Sequence, residues 1–473
     1  MRDASAGASQ ESSSAARRPL AGGAAFAPGR EADPHLERSR RILDRLFGPA
    51  DDRGFAVRYW TGLAVGPSDA PFTLVLDRPG ALRSMFLPPT ERSLGSAYVF
   101  GDCDVEGDME AAVRTVEPVL HGLRSARPLA RLVMDVRELP SDRGASTPPA
   151  AATGRGPFPA GSAGEAAGEA GHDGRRPGPS RRGRKHSRDR DARSVRYHYD
   201  LGNDFYQLWL DPYMQYSCGW FQREDESLEE GQEAKLDLLC RKLGLRPGQR
   251  LLDIGCGWGG LIRFAAERFG VRATGITLSE PQAAFGWRRA REAGVADRCE
   301  IRVMDYRDLP DEERFDAIVS VGMVEHVGHA NLPKFFREAF AHLVPGGRFL
   351  DQGIVTLDTM SPWVRRLRER VARRWTSFIE EYVFPDGELV TTAERVGPAE
   401  AAGFEVRDVT SLREEYATTL RHWVRRLEAH REKAIEMVGG PTYRVWRLYM
   451  AGSAHAFSSG RIGLVHELYL KPA

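Results

Sequence analysis

The sequence predicts an α/β architecture, a doubly wound and mostly parallel sheet preceded by a small α+β domain. Three observations predict it. From Tyr197 onward, short apolar runs alternate with helical stretches. One of those runs ends in a glycine-rich turn, LLDIGCGWGG (251–260). A low-complexity block at 140–193 separates this half from an earlier patterned one.

The elements follow in chain order. At 473 residues the chain exceeds one ordinary core, so two folded domains are expected. Residues 1–34 are mostly Ala, Ser, Gly, Pro and Arg and are expected to form a disordered tail. Residues 35–139 form the small domain. There Leu36, Ile42, Leu43, Leu46 and Phe47 make a helical stripe, and FAVRYW (55–60) and FTLVLD (72–77) alternate as strands. Residues 140–193 are rich in Gly, Ala, Pro and Ser and turn basic in RRGRKHSRDR (181–190). A solvated spacer is the favoured reading over a polybasic segment drawn to anionic headgroups, because acidic residues interrupt it. Residues 194–473 hold RLLDIGC, VRATGIT, CEIRVMD, FDAIVSV and GRFLDQGIV as strands, most of them separated by helices such as LIRFAAERF and LPKFFREAFAHL.

Composition narrows the function. Lys+Arg 67 against Asp+Glu 66 gives no global field for nucleic acid. Cys103, Cys218, Cys240, Cys256 and Cys299 are scattered without a CxxC or a His at ligand spacing, so reduced thiols are expected rather than disulfides or a metal site. No apolar run reaches the roughly eighteen residues of a membrane-spanning helix. The arginines near the start precede no apolar signal core, so a cytoplasmic location is expected.

The glycine turn is the strongest local signal. A strand ends at Asp253, and Gly255, Gly257 and Gly259 open the next helix, where backbone N–H groups can face a ligand. A dinucleotide site would want GxGxxG and an acid about twenty residues on, at the end of the second strand. Here the spacing is GxGxG and that strand ends in Gly275-Ile276-Thr277-Leu278-Ser279. A purely structural glycine turn is the plain alternative.

Longer motifs then carry a resemblance. HYDLGNDFYQLWLDPYMQYSCGWF (198–221), LLDIGCGWGG, GITLSEPQ (275–282), MDYRDL (304–309) and SVGMVEHVGH (320–329) occur in order. YVFPDGEL (382–389), YATTLRHW (416–423) and YMAGSAHAFSSGRI (449–462) follow. Together they resemble the cyclopropane fatty-acid synthases and mycolic-acid methyltransferases. SLGSAYVFGDCDVEGD (93–108) extends the resemblance to the N-terminal domain of the long bacterial synthases, which the mycolic-acid enzymes lack.

The resemblance implies a Rossmann-like class I methyltransferase fold with a helical lipid-binding insertion, and S-adenosylmethionine as donor. It implies that Tyr216 and Ser217 contact the methionine end, and that Asp253, Gly255, Gly257 and Gly259 line the donor. Thr277 and Gln282 are expected at the ribose, and Asp305 and Tyr306 at the adenine. The implied reaction moves one carbon to the double bond of an unsaturated fatty acyl chain, expected on a phospholipid. A cyclopropane forms when a bound bicarbonate deprotonates the intermediate carbocation. Cys218 and Ile354 (through their backbones), Glu325 and Tyr416 are the implied holders of that base. Each has a bland alternative: Glu325 as half of a loop ion pair with His326, Tyr416 as a buried tyrosine, Cys218 as a small buried residue. Phe205, Trp209 and Trp220 read as core.

Two positions depart from the pattern. FLDQGI (349–354) puts Gln352 where a bicarbonate-binding His is expected, and Ser453 replaces a Cys. An amide carries no charge and does not titrate near neutrality. A methylene- or methyl-branched product is therefore the second reading. A catalytically silent lipid-binding or regulatory protein is a rival of another class, against which intact Glu325, Tyr416 and the glycine turn argue, and a NAD oxidoreductase is a distant third. Ser361–Glu381 is expected to form an amphipathic surface helix or pair of helices, which reads equally as a membrane contact near the acyl entrance or as a helix docked on its own domain with a solvated basic face. There Val364, Leu367, Val371 and Trp375 make one stripe and Arg365, Arg366, Arg368, Arg370, Arg373 and Arg374 flank it. The expected partners are an unsaturated acyl lipid and an anionic membrane surface met peripherally, with no nucleic acid. A homodimer stays open.

Overall fold

Asp33 and Pro34 begin the first helix. The Asp33 carboxylate accepts from the His35 N–H at 2.9 Å, and Pro34 needs no such partner at the first helical position. The computed structural model describes residues 33–123, 125–141, 186–199, 201–357, 378–384 and 387–473. Helix Pro34–Phe47 buries Ile42 and Leu43 against a four-stranded sheet of β1 (Ala56–Tyr59), β2 (Ala64–Val65), β3 (Phe72–Leu76) and β4 (Cys103–Gly107). The order is β2-β1-β3-β4, with β1 and β3 parallel and the outer pairings antiparallel. FAVRYW and FTLVLD are thus strands, stapled by stacked Phe55 and Phe72 with centroids 5.0 Å apart.

The second sheet contains β5 (Arg250–Ile254), β6 (Arg272–Thr277), β7 (Cys299–Val303), β8 (Phe315–Val321), β9 (Leu343–Thr356), β10 (Glu405–Ser411) and β11 (Ile462–Leu470). Its order is β10-β11-β9-β8-β5-β6-β7, parallel from β9 through β7 and antiparallel at β11 and β10. The chain runs outward from β5 to β7, then returns to β8 on the other side. That reversal opens a crevice beyond the carboxyl ends of β5 and β8, where such folds bind ligands.

The boundary expected at 193 shifts. Residues 188–193 belong to helix Arg188–Tyr199, anchored by Arg188 on Asp308 (2.5 Å) and Asp191 on Arg307 (3.2 Å). Ion pairs rather than an apolar stripe hold this end, which is why its composition reads as spacer. The rest of the basic run, through 185, lies outside the described residues. So does most of the arginine-rich Ser361–Glu381 stretch. Its described end, helix Phe378–Tyr382, docks on the N-terminal domain: Phe378 lies where a Cβ on Gly95 would stand, Arg92 pairs with Glu381 at 2.5 Å, and the Tyr382 and Ser96 hydroxyls meet at 3.0 Å. No helix among the described residues is long and apolar enough to cross a membrane.

One polar cluster fixes the sheet from behind. Asp351 on β9 and Glu467 on β11 are register partners, so two carboxyls face each other on a buried surface. Arg395, from helix Thr392–Ala401, reaches both: Nη2 lies 2.7 Å from Asp351 and Nε 3.2 Å from Glu467. All three side chains are 0% exposed. The Tyr469 hydroxyl donates to Glu467 at 2.6 Å.

Arg395→Met should cost about 3–5 kcal/mol at pH 8, because it leaves two buried carboxyls without their cation. Burial holds both carboxyls above their ordinary range, Glu467 at about 7. Each then favours the folded state fully below its unfolded pKa and loses that contribution as pH rises through the folded value. The loss in the variant should therefore shrink at pH 5. Urea denaturation at both pH values checks this, and an equal loss at the two would assign the cost to packing.

Candidate active site

The glycine turn lies at the carboxyl end of β5. Gly255, Gly257 and Gly259 have φ of +86°, +52° and +73°. The Gly255 and Cys256 N–H groups both donate to the Ile276 carbonyl at 3.0 Å, tying the turn to β6. The three glycines do different work. A Cβ on Gly255 would stand 2.9 Å from the Met323 side chain, and one on Gly259 would stand 2.9 Å from Ile301. A Cβ on Gly257 would approach only Gln282 Nε2, at 4.0 Å, so Gly257 borders open cleft. Asp253 lines the same cleft, buried, with Oδ1 unpartnered among the described residues.

The β6 and β7 ends supply the next wall. The Thr277 hydroxyl donates to Gln282 Oε1 at 2.9 Å and Ser279 caps the following helix, so both expected ribose residues are ordered at the cleft. Asp305 and Tyr306 line it too. The Asp305 carboxylate accepts from the Arg307 N–H and guanidinium (2.9, 2.7 and 2.5 Å), which holds its pKa down against the opposing effect of burial. Asp191 and Arg307 close this side. Arg307 is visible in MDYRDL, but nothing in the sequence links it to Asp191.

Tyr216 and Ser217 form the third wall, with Cys218 buried behind them, and a residue missed by sequence reasoning holds the segment. Lys235 is fully buried on helix Leu228–Leu243, where it occupies a position of the apolar stripe. Its Nζ donates to Gln215 Oε1 and, at 3.1 Å, to Ser217 Oγ. Gln232 Nε2 donates to the Ser217 carbonyl at 2.7 Å, and the Gly219 N–H to Thr419 Oγ1 at 2.9 Å. Burial lowers the Lys235 pKa to about 8 and raises that of Asp253 to about 7, the two charges partly offsetting this in each other. A lysine in an apolar stripe was the available signal.

Behind this wall the expected catalytic residues converge. Glu325 sits on the short helix Val324–Val327, whose neighbours Met323, His326 and Val327 line the cleft. Its Oε1 accepts the Ile354 N–H at 2.6 Å, and its Oε2 is buried without a partner among the described residues. Burial raises the Glu325 pKa, while the Ile354 N–H and Arg395 lower it. Burial also lowers His326 to about 4, so its imidazole is neutral and Glu325 is no loop ion pair. Cys218, Leu412, Tyr416 and Leu464 pack in one cluster with Ile354 against it. Burial pushes the Cys218 thiol well up, and its Sγ lies 3.7 Å from the Leu412 carbonyl, so the thiol stays protonated. Gln352, one pleat before Ile354 on the same face, meets His466 instead, 2.8 Å from Oε1 to Nε2.

Aromatic rings enclose the chamber. Tyr216 lies 5.3 Å from Trp423 and 6.1 Å from Tyr199, and Tyr416 lies 4.6 Å from Phe457, centroid to centroid. Phe205 and Trp209 are buried in this same cluster. Electron-rich faces around a dry site favour a cation.

Residues 186–467 match the family described as mycolic acid cyclopropane synthetase. A probable fatty acid methyltransferase of Pseudomonas putida is 37% identical over 416 residues, 88% of this chain and 91% of the relative. One from Mycobacterium tuberculosis is 36% identical over 420 residues, 87% of this chain and 90% of the relative. The chain belongs to the mycolic acid cyclopropane synthetase family. Among solved structures, mycolic acid cyclopropane synthase CmaA1 in complex with SAH and CTAB is 34% identical, with a TM-score of 0.54. It covers 59% of this chain and 98% of its own.

Family and fold make this synthetase-family chain an S-adenosylmethionine-dependent methyltransferase. The residues fit that donor: Gly257 leaves room for it, and Asp253 Oδ1 offers an unused acceptor. Gly257→Val should abolish S-adenosylmethionine binding, by calorimetry, and lower the melting temperature through backbone strain at a φ of +52°. Gly255→Val should destabilise the fold further, because Met323 also leaves its side chain no room. Undiminished donor affinity in Gly257→Val would remove the cofactor assignment of this loop.

Proposed function

We propose that this enzyme transfers one carbon from S-adenosylmethionine to the double bond of an unsaturated fatty acyl chain, on a phospholipid, closing a cyclopropane. The observation that carries the reading is Glu325, buried beside the cofactor cleft with one oxygen held by Ile354 and the other unpartnered. Both fatty acid methyltransferases align over nearly nine-tenths of this chain, the N-terminal domain included, which favours a fatty acyl lipid over a mycolic acid.

Bound S-adenosylmethionine supplies an electrophilic methyl, and attack by the alkene leaves a carbocation on the chain. Tyr199, Tyr216, Tyr416 and Trp423 surround that charge with aromatic faces and exclude water. Bicarbonate, when bound, supplies the base. An anion beside a carboxylate is tolerable only if it brings a proton, and Glu325 Oε2 is an unused acceptor for such an O–H. Gln352, Tyr416 and the backbones of Cys218 and Ile354 are its other holders. Tyr216 and Ser217, positioned by Lys235, hold the methionine end of the donor; Thr277 and Gln282 hold its ribose, and Asp305 and Tyr306 its adenine.

A second reading has its own observation. With Gln352 at the expected histidine, the base sits differently, so a 1,2-hydride shift can move the cation onto the methyl-bearing carbon before deprotonation. Loss of a methyl proton from that tertiary cation gives a methylene branch. Cyclopropane and methylene products have equal mass, so NMR of the product decides between them.

Glu325→Gln should leave donor affinity nearly unchanged and lower turnover by about 2.7–4 kcal/mol at the transition state, roughly 10²–10³-fold. Calorimetry and an assay on unsaturated phospholipid check it; wild-type turnover would assign Glu325 to structure.

We also propose that the enzyme meets its lipid at an anionic membrane surface through the arginines of Ser361–Glu381. Binding to anionic vesicles should then exceed binding to neutral ones, weaken with salt, and lose that dependence when four of those arginines become Gln. Equal binding to both vesicle types would overturn it.

A further inference from the structure

The Gln352–His466 pair lies on the functional face of the sheet. β9 and β11 are antiparallel with Ile354 opposite Leu464 and Gln352 opposite His466. Side chains alternate between faces, so these four share one face while Asp351, Gly353, Val465 and Glu467 share the other. The Ile354 and Leu464 rung packs on the Cys218 and Tyr416 cluster. Gln352 and His466 form the next rung along that ladder, and both are buried.

The chemistry of the pair is directional. Gln352 Oε1 only accepts, so the 2.8 Å contact requires the proton of His466 on Nε2. That leaves His466 Nδ1 bare, and it has no partner among the described residues. Burial, with Lys242 and Lys235 nearby, keeps the imidazole neutral, so it has one N–H to give and gives it to Gln352. Occupying the carbonyl fixes the amide. A glutamine can present either end to a ligand, and only its NH2 end attracts an anion.

We propose that His466 is a positioning residue that commits the Gln352 amide to present its N–H donors to the anion at Glu325. The inference rests on the reading that a bicarbonate binds there. The imidazole absent at 352 stands one strand away, and the donor is the amide it orients. Lys242 is held by Asp408 (2.6 Å) and Thr410 (2.5 Å), so the surroundings of His466 are fixed as well.

The test is a bicarbonate titration of turnover on unsaturated phospholipid vesicles with the full-length enzyme. His466→Phe should lower turnover and raise the bicarbonate needed for half-maximal activity, each about tenfold, the worth of one hydrogen bond. S-adenosylmethionine affinity should not change. His466→Gln keeps a polar side chain but lets the two amides pair in either sense, so it should show a smaller loss of the same kind. Exchanging the two residues, Gln352→His with His466→Gln, should recover both quantities relative to either single change. A folded His466→Gln enzyme with an unaltered bicarbonate response overturns the proposal, as does an exchange variant whose loss is the product of the single losses. A wild-type enzyme indifferent to bicarbonate would instead overturn the reading of the base, before any variant is made.

Discussion

Strand β9 is buried on both faces and yet carries polar groups on each, and the rest of the molecule is arranged to satisfy it. One face places Asp351 against Glu467 and needs Arg395. The other places Gln352 against His466. Between them, the Ile354 N–H reaches Glu325. A slip of one residue would put Asp351 in the catalytic chamber and Gln352 against a buried guanidinium. The two ionic and amide rungs therefore act as register pins, and fixing the register fixes the N–H that holds Glu325.

The cofactor cleft obeys a different constraint. Its loop must approach a ligand closely without side chains, yet stay rigid. Met323 and Ile301 leave no room at Gly255 and Gly259, so two glycines are demanded by packing, while Gly257 borders open cleft and is required by its φ of +52°. The opposite wall is an irregular segment, and such backbone keeps its shape only when its polar groups are satisfied. Lys235, Gln232 and Thr419 do that from two helices. The buried amine also meets the field of Asp253, so the wall and the loop are coupled through charge as well as packing.

The parallel strands β5 to β9 were legible because each is an apolar run flanked by helix-period sequence, and GxGxG marked the cleft. β10 and β11 were not: EVRDVTS is half exposed, and IGLVHELYL buries a histidine whose partner Gln352 and a glutamate whose cation Arg395 lie more than 70 residues away. The same reason hid Lys235, Arg395 and His466. A buried charge shows in sequence only as a polar residue in an apolar pattern, while its meaning depends on what faces it. Gln352 stood out only against the family pattern, and its bond to His466 required the sheet register.

That register also bears on the N-terminal domain. Helix Gly440–Ser458 is shared between two cores: Val445 and Ala451 belong to the N-terminal one, while Trp446, Met450, Ala454 and Phe457 belong to the catalytic one. Arg444 donates to the Tyr98 carbonyl at 2.7 Å and to Asp104 at 2.8 Å. Arg447 donates to the carbonyls of Val105 (2.9 Å) and Gly107 (2.8 Å). The Arg447 bonds satisfy main-chain groups of β4 that would otherwise be edge carbonyls. The helix cannot move on one side without moving on the other. Phe457, tilted against Tyr416, and Trp446, among the rings around Tyr216, are thus held partly by a domain whose described residues contribute none to the cofactor cleft. The N-terminal domain acts on the chamber as a buttress, setting where its aromatic wall stands.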